Sequence, residues 1–84
     1  MSKIDHALLK QLEEAEKAGR TMDIPVIVTL IPGVEAPLIE QSGLKRISRH
    51  VPLYAGRLPA AGICEMARRD DVERIEYDDK AWAL

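Results

Sequence analysis

The chain has 84 residues, and its 12 Lys and Arg against 14 Asp and Glu give a net charge of −2. This length allows one domain with one modest core, and the balanced charge argues against electrostatic wrapping of nucleic acid. The three aromatic side chains, Tyr54, Tyr77 and Trp82, do not form the closely spaced platform on which single-stranded bases stack. We therefore expect no nucleic-acid partner.

The single cysteine, Cys64, excludes an internal disulfide framework and a thiolate zinc cluster. Residues 1–20 alternate charged residues with leucines, and no segment approaches the roughly 20 consecutive apolar residues of a membrane span. These features predict a soluble, cytoplasmic protein with no membrane partner, no metal and no cofactor.

Residues 3–18 predict an amphipathic helix, because apolar side chains recur there at helical spacing. This apolar stripe comprises Ile4, Leu8, Leu12 and Ala15. Ser2 with Asp5 resembles a capping box, and Gly19 is a plausible stop. The stripe is able to pack on the domain, pair with a second copy or lie on a membrane, and the mixed Glu and Lys of the polar face favour the first two.

The rest of the chain predicts strand, helix, strand, strand, helix, strand, followed by a tail. The strands are Ile24–Ile31, Leu44–His50, Leu53–Leu58 and Val72–Tyr77. One helix is a short segment in which Val34, Leu38 and Ile39 recur at helical spacing and which Gly43 terminates, and the other is Ala60–Arg69. The β-branched run of the first strand is typical of a central strand. This βαββαβ order predicts an α+β, ferredoxin-like sandwich, a four-stranded antiparallel sheet with two helices on one face, carrying an extra N-terminal helix. The sheet face that no helix covers in this fold is available to bind a partner.

A basic cluster and the single cysteine each leave two interpretations open. Lys45, Arg46 and Arg49 predict a charged, solvent-facing edge strand, or at most a docking patch. Cys64 lies beside Ile63 on the second helix, which favours a buried structural thiol over a reactive one.

The sequence contains no convincing catalytic constellation. Ser42 and Ser48 lack the G-x-S-x-G context of a nucleophile, and His6 and His50 lie on separate elements without an acid or nucleophile partner. We predict that the protein is not an enzyme and that both histidines are solvated.

Three segments match motifs that occur together in one known family. Residues 24–30 are similar to a "YIVTF" opening strand, Tyr54–Leu58 (YAGRL) is similar to "GFAAKL", and residues 72–78 (VERIEYD) resemble "V-E-x-V-E-x-D". The family is that of the propeptide domains of subtilisin-like serine proteases, which also occur as free inhibitors. The resemblance covers roughly residues 24–84, and the turns at Pro52, Pro59 and Asp70 depart from it.

The resemblance implies three parts: an N-terminal helical extension over residues 1–20, a propeptide-like domain over 24–78 and an inhibitory tail over 79–84. The implied function is a stand-alone inhibitor of a subtilisin-like serine protease, with a chaperone role also open. The sheet face would dock on the enzyme, and the tail would occupy the substrate cleft like a cleaved product. The alternative is a non-inhibitory interaction module that assembles through the sheet face or self-associates through the N-terminal helix.

The tail carries the residues that the resemblance assigns to the protease cleft. Leu84 would fill the primary apolar pocket, Ala83 a small adjoining site and Ala81 a more distant apolar pocket, while Trp82 would point outward or cover the rim. Without the resemblance, the same residues are an ordinary frayed chain end.

Glu76 and Asp78 match acidic positions that in the family lie against the N-termini of two protease helices. Exposed amide donors and the helix dipole favour carboxylates there. An ordinary charged strand face remains the alternative interpretation.

Overall fold

The structure, a computed structural model, describes residues 3–19, 23–33, 43–48 and 50–78. The described elements are α1 (His6–Ala18), β1 (Ile24–Leu30), β2 (Lys45–Arg46), β3 (Leu53–Leu58), α2 (Ala60–Ala67) and β4 (Val72–Tyr77). The strands form one sheet of order β2-β3-β1-β4, in which all neighbouring strands are antiparallel. The predicted α+β class and the central position of β1 are confirmed. The predicted short helix that carries Val34, Leu38 and Ile39 lies outside the described residues.

The first helix begins three residues later than its apolar spacing predicts. Asp5 is the N-cap, and its carboxylate accepts a hydrogen bond from the Leu8 N–H at 2.9 Å. At the other end Gly19 adopts a left-handed φ of 62°, and its N–H donates to the Glu16 carbonyl. The predicted stop is therefore confirmed, whereas the predicted start at Lys3 is wrong.

The residues before α1 extend the sheet beyond β4. Ile4 forms a parallel bridge with Ile75. The Asp5 N–H donates to the Ile75 carbonyl at 3.1 Å, and the Ile75 N–H donates to the Lys3 carbonyl at 2.9 Å. The extended conformation of this segment lets it form hydrogen bonds with the backbone groups of β4 that point away from β1. Such groups would otherwise be unpaired at the edge of the sheet, and an unpaired backbone group costs free energy when it is buried.

The strand register divides the sheet into two faces, because directly paired residues lie on the same side. We call the first face the side that carries Val26 and Val28 of β1, and the second face the side that carries Ile27. The core comprises Leu8, Ile24, Val26, Val28, Leu30, Leu44, Tyr54, Leu58, Ile63, Met66, Val72 and Ile75. Every sheet residue in this set lies on the first face, so both described helices cover that face.

Close packing on the first face explains a glycine in β3. A Cβ on Gly56 would lie 2.8 Å from the Leu44 side chain and 2.9 Å from the Gly43 carbonyl oxygen. Leu44 therefore reaches the core across a strand position that has no side chain.

A paired Arg and Asp hold the turn between α2 and β4. Arg69 donates two hydrogen bonds to the Asp71 carboxylate, at 2.9 Å from Nε and 2.8 Å from Nη2. These bonds hold the pKa of the Asp71 carboxyl below its usual range. The Asp71 carbonyl accepts from the Ile31 N–H, and Lys3 Nζ donates to the Arg69 carbonyl, so the turn contacts both β1 and the N-terminal segment.

Asp71→Asn should destabilise the protein at pH 7 by up to about 1 kcal/mol, since a partly exposed pair is screened by solvent. A carboxyl whose pKa is lowered by folding stabilises the protein above its unfolded pKa of about 3.9, and this stabilisation is lost as pH falls through the folded pKa. Urea unfolding should show the wild-type advantage at pH 7 and its disappearance in acid. Asp70→Asn removes the same charge at an exposed position and is the control; a pH-independent difference would contradict the expectation.

Candidate protein-docking face

The second face presents a row of side chains across all four strands. Lys45 of β2 pairs with Ala55 of β3, Ala55 pairs with Ile27 of β1, and Ile27 pairs with Glu76 of β4. Lys45 is exposed, and the other three side chains are partly exposed. An apolar centre therefore lies between a basic residue at one edge and an acidic residue at the other.

Two further rows flank this one. Leu53, Thr29 and Arg74 form the row on one side. Arg57 and Pro25 form the row on the other side, in which Arg57 is exposed and the Pro25 side chain is fully buried. The buried residues of both helices belong to the core on the first face, so none of the buried helical side chains among the described residues covers these rows.

Glu76, a predicted docking residue, is accessible on the second face. Its carboxylate lies 3.4 Å from Arg74 Nη1, and the two side chains are 39% and 60% exposed. An exposed pair at this distance contributes roughly 0–1 kcal/mol. Glu76 is therefore held only weakly and is available to another donor.

Asp78, the second predicted docking residue, directly follows β4 and is the last described residue. Its backbone N–H donates to the Pro25 carbonyl at 3.0 Å, which adds one rung to the β1–β4 ladder. Asp78 is partly exposed and follows Glu76 by two residues, so strand alternation directs both side chains to the second face. The predicted cleft residues Ala81, Trp82, Ala83 and Leu84 lie outside the described residues.

An open concavity of about 350 Å³ adjoins Glu76 at the outer side of β4. It is lined by Lys3, Ile4, Asp5, Arg74 and Glu76. The N-terminal segment thus enlarges the surface around Glu76, a feature that the apolar spacing of the sequence did not indicate.

The predicted edge position of the basic strand is confirmed, but the strand spans only Lys45–Arg46 and not Leu44–His50, and its charges are divided between two faces. Lys45 and Arg46 are both exposed on β2, but Lys45 pairs with Ala55 on the second face and Arg46 pairs with Tyr54 on the first. Arg46 Nε donates to the Ser48 carbonyl at 2.8 Å. The third residue of the predicted cluster, Arg49, lies outside the described residues.

Among the described residues, the remaining polar candidates Ser48, His6 and His50 show no catalytic arrangement, and Ser42 lies outside the described residues. Ser48 Oγ accepts from the N–H groups of His50 and Val51, both at 3.3 Å, which is a turn-stabilising role. His6 and His50 are exposed. The predicted burial of Cys64 is wrong, because its thiol is exposed: one residue past Ile63, it lies about 100° around the helix from the buried stripe.

Within residues 3–19, 23–33, 43–48 and 50–78, no group of three or more His, Cys, Asp or Glu side chains could hold a metal ion. In the same ranges, no helix has the length and apolar character needed to cross a membrane.

The chain has no significant match among protein-family models, curated proteins or solved structures.

Sequence reasoning did not identify Ile27, Ala55 and Lys45 as neighbours of Glu76. Each residue lies in a predicted strand, so alternation alone defines two possible sets of faces. The missing information is the register between strands, because a shift of one residue would move every side chain of a strand to the other face.

Proposed function

We propose that this protein is a binding protein that inhibits a subtilisin-like serine protease, with its second face docked on the enzyme and its tail in the substrate cleft. The observation that carries the proposal is the position of Glu76, which lies on the sheet face opposite the helix-covered core. The resemblance to subtilisin propeptides requires an acidic residue of β4 on that face.

The strand order supports a ferredoxin-like arrangement of the domain. β1 and β3 are central, β2 and β4 are the edges, and the described helices share the first face. Such a sheet leaves a broad surface for a partner. Because this frame hosts many unrelated functions, the proposal depends on the residues of the surface and not on the fold alone.

Glu76 would act by accepting hydrogen bonds from the N-terminus of a protease helix. Its contact with Arg74 is long and exposed, so exchanging that partner costs little. A carboxylate at a helix N-terminus contributes about 0.3–1 kcal/mol when exposed. Glu76 and Asp78 would therefore orient the docked sheet, while most of the affinity comes from the tail and the apolar centre of the face.

The ladder bond from Asp78 to Pro25 holds Asp78 against β1, and the proposed tail begins at the next residue. Six extended residues beyond Asp78 reach about 20 Å, enough to run from a docked sheet into a cleft. The tail would add main-chain hydrogen bonds and fill pockets with alternate side chains, as extended peptides do when they bind at a strand edge. As the resemblance implies, the tail would occupy the cleft like a cleaved product.

The test is a titration of active-site-quantified subtilisin, and of any subtilisin-like protease encoded beside this chain's gene, with the full chain. We expect stoichiometric inhibition that is competitive with a peptide substrate. Chymotrypsin is the control, because it carries the same catalytic triad on an unrelated fold. Absence of inhibition of every subtilisin-like enzyme titrated would overturn the proposal.

Glu76→Lys tests the docking contact within the same assay. We expect inhibition to weaken by about 5-fold to 30-fold, which corresponds to about 1–2 kcal/mol for replacing attraction with repulsion. Glu73→Lys makes the same charge change on the same strand at an exposed bulge residue outside the second-face rows. Equal weakening by both substitutions would indicate a general effect of net charge instead of a contact at Glu76.

A further inference from the structure

The row from Lys45 to Glu76 is complementary to itself. It reads basic, small, apolar, acidic across β2, β3, β1 and β4. Consider two copies whose second faces meet, related by a two-fold axis that runs parallel to the strands between them. This axis reverses the order of the strands in the second copy but leaves the row at the same height along the strands. Lys45 of one copy then faces Glu76 of the other at both ends, and Ala55 faces Ile27 between them.

Dimensions are compatible with this pairing. Packed sheets lie about 10 Å apart and cross at about 30°, a gap that a lysine and a glutamate side chain span together. In the neighbouring row, the same axis places Leu53 of one copy opposite Thr29 of the other. The central strands β1 and β3 therefore bring no like charges together in that row. In a two-fold dimer of this kind, each favourable residue pair occurs twice, once on either side of the axis.

The apolar stripe of α1 is less suited to self-association. Leu8 is fully buried in the chain's own core, and Leu12 packs against that core. The second face, in contrast, retains partly exposed apolar side chains at Ile27, Ala55 and Leu53.

We infer that a second copy of this chain binds to the second face, forming a two-fold dimer through the Lys45 and Glu76 contacts. The nine second-face positions that are not buried, spaced about 4.8 Å across the strands and about 6.7 Å along them, give a face of roughly 300 Å². This is less than half the roughly 800 Å² that each partner contributes to a standard interface. The dimer is consequently weak and reversible, and it forms at high protein concentration. A protease that docks on the same face would compete with it.

Analytical ultracentrifugation of the full chain, from about 10 µM to about 1 mM at low salt, tests the inference without any protease. The wild type should shift from monomer to dimer over this range. Lys45→Glu and Glu76→Lys should each reduce the association constant at least about 10-fold, because each change places like charges together at both symmetric contacts. The double variant Lys45→Glu with Glu76→Lys should return to within about 3-fold of the wild type.

Arg46→Glu is the matched control. It makes the same charge change one residue from Lys45, at an exposed position on the first face, and should leave the dimer intact. A wild type that is monomeric at about 1 mM overturns the inference. So does a dimer that Lys45→Glu and Arg46→Glu weaken equally, or one that the double variant does not restore. Inhibition of subtilisin by a chain that never dimerises would refute the dimer alone and leave the proposed function standing.

Discussion

A chain shortened to end at Asp78 should inhibit a subtilisin-like protease at least about 100-fold more weakly than the full chain. The shortened chain keeps Glu76, Asp78 and the ladder bond to Pro25, so its docking face is unchanged. What it loses is the segment proposed to enter the cleft. Inhibition constants measured with a peptide substrate, together with urea unfolding of both chains, separate the loss of binding from any loss of stability.

The size of this effect follows from two contributions. A leucine side chain that moves from water into an apolar pocket gains about 1.5–3 kcal/mol, and each main-chain hydrogen bond to the cleft adds a net contribution of about 0.5–1.5 kcal/mol. Two such bonds and the Leu84 side chain together contribute about 2.5–6 kcal/mol, a range that begins near the roughly 2.7 kcal/mol corresponding to 100-fold. The exposed carboxylate contacts at Glu76 and Asp78 are too weak to compensate.

Substitutions within a tail of full length distinguish pocket filling from simple chain length. Leu84→Asp should weaken inhibition nearly as much as the truncation, because the primary pocket would receive a charged side chain. Trp82→Ala should have a much smaller effect, since Trp82 is expected at the rim. Equal potency of the full and shortened chains would eliminate the product-like mechanism, and a larger effect of Trp82→Ala than of Leu84→Asp would reverse the proposed orientation of the tail.

The sequence predicted the helices and strands better than the residues at which they begin and end. Periodicity indicates which face of an element is apolar, but it does not indicate where the backbone pairs with a distant segment. The spacing that includes Leu8 and Leu12 identified α1. Ile4 fits the same spacing, yet it lies before the helix because the backbone around it pairs with Ile75 of β4. That pairing joins residues far apart in the chain, so no local signal could reveal it.

The candidate site shows the same limit. The acidic residues Glu76 and Asp78 were identified through the motif of β4, but the neighbours that give Glu76 its surroundings come from other strands. Lys45 and Ile27 become its neighbours only through the register of the sheet. The register depends on packing of the first face, including the close approach of Leu44 over Gly56, which is a property of the folded core and not of any one segment.

Leu8→Ala should destabilise the whole domain by about 2–5 kcal/mol, the usual cost of removing a fully buried leucine side chain. Leu8 is 0% exposed and belongs to the same core as Ile63 and Ile75, although α1 precedes the propeptide-like part of the chain. A loss of this size is a large fraction of the roughly 5–15 kcal/mol that stabilises a typical protein. Urea unfolding followed by far-ultraviolet circular dichroism measures the change.

Leu9→Ala provides the matched control, because Leu9 is the next residue of the same helix and is 38% exposed. Both variants replace leucine with alanine and gain the same helix propensity, so their difference isolates burial. We expect Leu9→Ala to change stability by less than about 1 kcal/mol. If α1 were a separable extension, Leu8→Ala would leave the unfolding of the sheet unchanged and the two variants would behave alike. A single cooperative transition shifted only by Leu8→Ala would instead show that the N-terminal helix is part of the platform that supports the second face.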